Sequence, residues 1–224
     1  MVLVQDEARI PVLRWVRPPR QARSQQTLDR ILDAAEALVS EKGFDDTPVA
    51  EIARRAGSSV GSFYSRFLDK DALIGALNER FVTQAIATAD AALDPARWQR
   101  ATIEEIAEAV VRFLVDIHRE QRGILRAFAQ RMRVDPELHA RRERLAEHIA
   151  TGLSTLLLAH SAAIRHDDSQ RAVGFALTMV FGVLEHAILF GELRSGAFTW
   201  TDDDLSSQLA HAFLAYLTTP LRPA

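Results

Sequence analysis

The chain has 224 residues, of which 48% are hydrophobic and 25% are charged, the balance of an ordinary folded protein rather than of a disordered or fibrous one. It contains no cysteine, which excludes disulfides, thiolate metal sites and cysteine nucleophiles. The net charge of −3 argues against a protein coated in basic residues that binds nucleic acid without regard to sequence.

Basic charge is concentrated near the beginning of the chain. Five arginines and one acidic residue lie between positions 14 and 30, and prolines stand at positions 11, 18 and 19. No apolar period is sustained here, so residues 1–23 are predicted to form a flexible basic arm that can follow a phosphate backbone. The arginines of this arm are Arg14, Arg17, Arg20 and Arg23. The segment lacks the order of a signal peptide, and a cytoplasmic location is expected.

Three helices are predicted next. Apolar residues recur every three or four positions from Ser24 onward and indicate a helix that ends at Gly43 with a left-handed cap. Thr47-Pro48 predicts the N-cap and first position of a second helix over 48–56.

A short turn separates this second helix from a third. Gly57 is predicted to end the second helix, and Ser58-Ser59 to cap a third over 60–67. Phe63 and Phe67, four residues apart, would share its buried face. Two short helices joined by a tight turn and braced by a preceding helix form a helix-turn-helix, which places its second helix in the DNA major groove.

The rest of the chain is predicted to be helical. Asp69 would cap a long helix that stops near Asp94-Pro95. Further helices are predicted over 102–119, 122–133, 136–159, 168–193 and 202–218. No segment shows convincing strand alternation. The apolar run over 172–184 is shorter than a membrane span, so a buried core helix and no membrane contact are expected.

Two consecutive segments of this sequence resemble TetR-type repressors. They are LDRILDAAEALVSEKGF, the leading helix, and TPVAEIARRAGSSVGSFYSRFLDKDALIGAL, from Thr47 to Leu77. The resemblance covers about 50 contiguous residues without gaps. It implies an all-α protein with a flexible arm at 1–23, a helix-turn-helix DNA-binding domain at 24–68, and a helical regulatory and dimerisation domain at 69–224.

The resemblance also implies a set of DNA contacts. Helix N-termini suit phosphates, and Thr47 and Ser59 match capping positions of the family. Tyr64 and Lys70 match positions that contact the sugar–phosphate backbone, and Arg66 could contact phosphate or guanine. The DNA-binding set is Thr47, Ser59, Val60, Gly61, Ser62, Tyr64, Ser65, Arg66 and Lys70.

Several of these residues have alternative interpretations. Val60 and Ser65 are shorter or less polar than in many relatives, so thymine-methyl contact, DNA shape and the arginine arm are candidate sources of selectivity. Tyr64 could instead be a buried aromatic residue beside Phe63. Arg54 and Arg55 are interpreted as a solvated face.

For the regulatory domain, the resemblance implies a homodimer in which the helices near 168–193 and 202–218 pair with their symmetry mates. Large adaptable side chains are candidates for an apolar or aromatic effector, although most could be ordinary core. Glu185 and His186 could orient a polar ligand, meet across a dimer axis, or satisfy each other in the core. The ligand-binding candidates are Trp98, Phe113, Phe128, Met132, Phe175, Met179, Glu185 and His186.

The hypothesis from sequence is therefore a dimeric repressor that binds a partly palindromic operator and is released by a small molecule. In this scheme the helix after Asp69 connects the DNA-reading head to the regulatory core. No cofactor, metal site or catalytic motif is predicted. The alternatives are a ligand-independent DNA-organising protein on the same fold, and an all-helical enzyme or interaction module with a vestigial helix-turn-helix.

Overall fold

The computed structural model describes residues 22–191 and 193–220. The chain divides into two compact units, one ending at Arg80 and the other beginning at Phe81. This division falls inside one long helix rather than at its start. The functional boundary predicted between residues 68 and 69 stays a prediction.

Four helices account for most of the described part of the first unit. They are α1 (Ala22–Lys42), α2 (Val49–Arg55), α3 (Val60–Tyr64) and α4 (Lys70–Ala92), the last of which continues into the second unit. Because α1 begins at Ala22, Arg23 lies in its first turn, and the prediction that the flexible arm includes Arg23 is wrong. The other arm arginines, Arg14, Arg17 and Arg20, lie outside the described residues.

Local signals set the ends of these helices. Gly43 follows α1 with φ +87°, a left-handed conformation that side chains disfavour, which confirms the predicted cap. Asp69 caps α4, since its carboxylate accepts a 2.7 Å hydrogen bond from the amide of Ala72. The shared core is apolar and almost fully buried; it includes Leu28, Ile31, Ile52, Phe63, Phe67 and Leu73.

The described part of the second unit contributes five further α-helices: α5 (Ile103–Glu120), α6 (Arg122–Met132), α7 (Pro136–Leu157), α8 (Ser169–Phe190) and α9 (Asp202–Thr218). Thr102 and Thr201 begin α5 and α9 with reciprocal capping boxes, and Asp135 and Asp168 cap α7 and α8. A continuous apolar cluster from α5, α7, α8 and α9 fills the space between them.

The observed helices begin within two residues of the predicted starts, and their ends differ more. Helix α8 stops three residues early because Gly191 adopts φ +95°. After Leu157, α7 continues as a kinked 3-10 segment over Leu158–Ala163. A short hairpin lies between α8 and α9. It consists of two strands of two residues each, β1 (Arg194–Ser195) and β2 (Phe198–Thr199). Sequence alone does not predict this hairpin, because its strands are too short to show alternation.

Helix α8 is long and apolar enough, by length and composition alone, to cross a membrane. The apolar run over 172–184 is part of a 22-residue helix, so the length of the run alone does not exclude a membrane span. One third of the most apolar window of α8 is buried inside the chain. Near its C-terminal end, Glu185 accepts a 2.7 Å hydrogen bond from Arg142 of α7. Helix α8 is thus tied into the bundle by packing and by an ion pair.

Candidate nucleic-acid interface

A tight turn joins α2 to α3. The amide of Ser58 donates to the carbonyl oxygen of Ala53 at 2.9 Å, and Gly57 adopts φ +59°. Ser59 then caps α3, since its hydroxyl oxygen accepts a 3.0 Å hydrogen bond from the amide of Ser62. The predicted helix-turn-helix is therefore present, with a hydrogen-bonded turn after α2 and a capped start to α3.

Helix α3 has one buried face and one exposed face. Phe63 and the following Phe67 are completely buried, with ring centroids 5.0 Å apart. Tyr64 packs edge-on against Phe63 but is 51% exposed, so the alternative that Tyr64 is a buried aromatic residue is wrong. Val60 is 42% exposed, and Gly61 and Ser65 are also exposed. This exposed face is the surface that α3 offers to a groove.

Arg66 turns back along α3. Its guanidinium Nη1 donates to the carbonyl oxygen of Ser62 at 2.8 Å and to the Ser65 hydroxyl at 3.2 Å. These bonds satisfy the C-terminal end of the short helix, where carbonyl oxygens lack helical donors. The Ser65 hydroxyl itself donates to the Ser62 carbonyl at 2.8 Å. Arg66 and Ser65 therefore donate hydrogen bonds to a backbone carbonyl oxygen near the C-terminal end of α3.

The prediction that Thr47 caps α2 is wrong, and its place among the DNA contacts stays a prediction. Thr47 is completely buried, and its hydroxyl donates to the carbonyl oxygen of Gly43 at 2.7 Å. The N-cap of α2 is Pro48, which supplies no side-chain hydrogen bond. Burial and this bond to the end of α1 place the Thr47 hydroxyl in the interior, where it braces the loop before α2.

Two cations near the motif are held by protein groups. Lys70 lies 4.3 Å from the ring centroid of Phe44 and donates to the carbonyl oxygen of Asp45 at 3.2 Å. Arg55 pairs with Glu41 at 2.8 Å, and this hydrogen bond lowers the pKa of the Glu41 carboxyl. The pairing of Arg55 links α2 to α1 and accords with its omission from the DNA contacts.

The candidate effector residues differ in exposure and in the side chains that they contact. Phe128 is buried and packs against Phe81, whereas Phe175 is exposed and stacks on Tyr216. Phe113 is 37% exposed, and Met132 and Met179 are half-buried. Trp98 packs against the core, its indole donating to the Ala92 carbonyl at 2.7 Å.

The side chains of Glu185 and His186 also have different partners. Glu185 pairs with Arg142, and His186 is exposed and stacks on Phe190. The alternative that these two residues satisfy each other inside the core is wrong, because Glu185 pairs with Arg142 and His186 is exposed.

A cleft of about 100 Å³ lies elsewhere in the second unit, and none of the eight candidates lines it. Its walls come from the ends of α5 and α8, the segment around the hairpin, and the start of α9; among them are His118 and Trp200. Sequence reasoning missed this cleft because its residues are far apart in the chain and share no local spacing. The size of an aromatic side chain, which suggested several of the candidates, does not determine its position in the fold.

Two family models match the chain. The model "Bacterial regulatory proteins, tetR family" matches residues 31–77, and "Tetracyclin repressor-like, C-terminal domain" matches residues 102–217, more than half of the 224-residue chain. The chain belongs to the TetR family. Members of this family are DNA-binding transcriptional regulators rather than enzymes.

Known relatives agree with this assignment. The helix-turn-helix transcriptional regulator YvdT of Bacillus subtilis is 40% identical over 58 residues, which are 26% of this chain and only 30% of that regulator. A helix-turn-helix transcriptional regulator of Mycobacterium tuberculosis H37Rv is 24% identical over 194 residues, 84% of this chain and 93% of that protein.

Solved structures share the fold. A TetR-family regulator from Mesorhizobium loti superposes with a TM-score of 0.70 at 21% identity, over 88% of this chain and 98% of that one. RolR in complex with resorcinol superposes with a TM-score of 0.56 at 22% identity, over 87% of this chain and 89% of that one. FadR of Bacillus subtilis in complex with stearoyl-CoA superposes with a TM-score of 0.57 at 19% identity, over 87% of this chain and 100% of that one. This TetR-family protein is therefore an all-α transcriptional regulator with a DNA-binding helix-turn-helix.

Proposed function

We propose that this TetR-family protein is a homodimeric repressor that binds a partly palindromic operator and is released by a small molecule. The observation that carries the proposal is the exposed face of α3: Val60, Tyr64 and Ser65 are exposed along it, and Ser59 caps the helix start. A capped helix with one solvent-facing side fits a major groove, and its amide groups suit phosphate. The cytoplasm is where such DNA is available.

The exposed side of α8 supports the dimer. Phe175, Gly182, His186 and Phe190 are all exposed, and they fall on one side of the helix at spacings of seven, four and four residues. Two phenylalanines at 51% and 74% exposure are costly to leave in water. A second copy of the same helix, related by a two-fold axis, would cover them. To read successive major grooves, the two recognition helices of such a dimer would have to lie about 34–36 Å apart.

Release by a small molecule is supported by two structural relatives. RolR was crystallised with resorcinol and FadR with stearoyl-CoA. A coupling of roughly 1–3 kcal/mol between ligand and operator would change operator affinity by about 5- to 150-fold. This range suffices to release a repressor from one local operator.

The test is operator binding followed by release. Fluorescent fragments tiled across the region upstream of the protein's own gene would be titrated with the purified protein, with and without a library of small aromatic and apolar compounds. Tyr64→Ala would be titrated in parallel with Phe198→Ala, a control that removes an aromatic side chain exposed on the hairpin of the second unit. We expect one palindromic fragment to bind saturably, Tyr64→Ala to bind it more than tenfold more weakly, and Phe198→Ala to bind as the wild type does.

The remaining outcomes contradict specific parts of the proposal. Binding to many fragments with no release by any compound would favour a DNA-organising protein on the same fold. Activation of transcription from the bound fragment in a reporter assay would contradict the repressor role. A saturated complex of one protomer per fragment would contradict the homodimer.

A further inference from the structure

The cleft at the hairpin end of the second unit has an apolar floor and a polar rim. Side chains of α5, α8 and α9 form the floor, and the segments beside the hairpin close one side. Principal lining residues are Val115, His118, Leu184, Ala187, Trp200 and Leu205. Val115 and Leu184 are buried, whereas Trp200 retains 37% exposure. The cleft is therefore a partly covered apolar site that solvent can reach.

The cleft lies on the opposite side of α8 from the face proposed for the dimer. Successive residues of a helix are separated by 100°, so Leu184 and Ile188 lie about 120–160° around α8 from Gly182 and His186, and Ala187 lies between the two sides. The first group lines the cleft, and the second group is exposed. A second copy on the exposed face would leave the cleft available to a ligand.

His118 gives the cleft a hydrogen-bond acceptor. Its Nδ1 is 2.7 Å from the carbonyl oxygen of Leu114, an acceptor, so Nδ1 carries the proton. Burial of the ring lowers the pKa of His118, which keeps the imidazole neutral at neutral pH. Nε2 of a neutral ring protonated on Nδ1 has a lone pair and no hydrogen. Nε2 can therefore accept a hydrogen bond from a neutral donor such as a hydroxyl group.

Both arginines at the rim have hydrogen-bond partners within the protein. Arg119 pairs with Asp116 at 3.0 Å and lies 3.7 Å from Glu120. Arg122 donates to the Ala187 carbonyl at 2.9 Å, at the end of α8, where backbone oxygens need donors. Asp202 adds a negative charge on the α9 side. With Arg119 paired to Asp116 and the charge of Arg122 offset by Asp202, the rim carries no net charge that would favour an anion over a neutral ligand.

The size of the cleft limits the ligand to one ring. A closed apolar cavity of roughly 150 Å³ holds benzene, and this cleft measures about 100 Å³ with one open side. The enclosed part of the cleft therefore takes at most one ring, and a larger ligand would extend into solvent through the open side. The indole of Trp200 offers an aromatic surface against which a planar ring can lie.

We propose that this cleft binds a small neutral ring that carries a hydroxyl group, in the chemical class of phenols, with the hydroxyl donating to Nε2 of His118 and the ring lying against Trp200. Binding in the cleft does not depend on the proposed function, whereas the further statement that this ligand releases operator DNA rests on it.

Calorimetric titration of the full-length protein with phenol tests the proposal. Fluorobenzene is the matched probe, because it keeps the size of the ring and lacks the hydroxyl donor; benzoate is the anionic probe. We expect saturable binding of one phenol per chain, at least tenfold weaker binding of fluorobenzene, and weaker binding of benzoate. Absence of saturable phenol binding, or tighter binding of benzoate, would overturn the proposal.

Two variants locate the site. Ala187→Phe fills the cleft from α8 and should abolish phenol binding; Ala109→Phe, at an exposed alanine of α5 away from the cleft, should not. His118→Phe keeps a flat ring and removes the acceptor, so the preference for phenol over fluorobenzene should disappear. Unchanged phenol binding by Ala187→Phe, or an unchanged preference in His118→Phe, would overturn the assignment to this cleft.

Operator titration on the same samples separates the two proposals. If the protein binds no operator fragment, the proposed repressor function fails, and the calorimetric result still decides whether the cleft binds phenol. If phenol binds in the cleft and the operator complex is unchanged by saturating phenol, the effector role of this site is overturned.

Discussion

The guanidinium of Arg66 lies 2.8 Å from the carbonyl oxygen of Ser62, one turn back along α3. This long polar side chain, two residues beyond the end of α3, is thereby used to complete that helix. Base contacts to guanine require a guanidinium that reaches outward into the groove. The exposed face of α3 is left with the isopropyl group of Val60, the phenol of Tyr64 and small serines.

A thymine methyl in the operator is therefore the expected partner of Val60. Replacing thymines one at a time by deoxyuridine in each half-site should weaken binding about fourfold at one position, because burial of one methyl group is worth about 0.8 kcal/mol. Val60→Ala should lose this discrimination. Fluorescence anisotropy with the substituted operators measures it, and equal affinities at every position in the wild type would contradict a Val60 contact.

Loss of the cap on α3 should destabilise the DNA-binding unit. Ser59→Ala removes the oxygen that accepts from the Ser62 amide and should lower the free energy of unfolding by about 1 kcal/mol. Urea denaturation followed by circular dichroism measures the change. Ser58→Ala is the matched control, since Ser58 is not the cap of α3. An equal loss in both variants would show that the cap is not the cause.

The stability of the second unit should fall as the pH drops below the ordinary pKa of histidine. Burial of the ring lowers the pKa of His118 in the folded state, so the unfolded chain binds its proton first. Between the lowered folded pKa and the unfolded value near 6.5, the unfolded state holds more protons and stability increases with pH. Above about pH 6.5 this contribution is complete.

Thermal unfolding from pH 5 to pH 8 measures this dependence. In His118→Phe, the free energy of unfolding should rise less steeply with pH below about pH 6.5. The difference in slope should correspond to at most one proton. Contributions from groups common to both proteins cancel in the difference. Glu185, whose charge favours protonation of His118, and Arg142, whose charge opposes it, are the ionisable groups acting on the ring. An identical slope in wild type and variant would refute the role of His118.

A negative charge on the exposed face of α8 should weaken the proposed dimer. Phe190→Glu introduces a charge on this face, where both copies would bring it together, and should raise the dimer dissociation constant by at least tenfold. Phe198→Glu is the matched control, because Phe198 is equally exposed, at 74%, but lies on the hairpin. Sedimentation velocity over a concentration series distinguishes monomer from dimer. If only Phe198→Glu dissociates, the interface has been placed on the wrong surface.

The N-terminal arginines should contribute through counterion release. Arg17→Ala and Arg20→Ala would each remove one cation from the predicted arm, which lies outside the described residues. Operator affinity measured at several salt concentrations should fall. The slope of log affinity against log salt should flatten by about 0.9 for each phosphate that the variant no longer neutralises. An unchanged slope would exclude these two arginines from the complex.

Periodicity and capping chemistry predicted the helices and the motif because both act within a few residues. Gly43 could be assigned a left-handed cap, and Ser59 and Asp69 helix starts, from their immediate neighbours. The same local reasoning gave a wrong prediction at Thr47. A threonine before a proline has the chemistry of an N-cap, but packing buries this one and turns its hydroxyl toward α1.

The sequence by itself determined the helical fold, the turn between α2 and α3, and the residues available to face DNA, since each depends on spacing along the chain. The tertiary structure decided what those residues do. It turned Arg66 back onto its own helix, paired Glu185 with Arg142 across 43 positions, and brought His118 and Trp200 to one cleft. Such arrangements depend on which helices pack together, and packing joins residues whose separation in sequence carries no period.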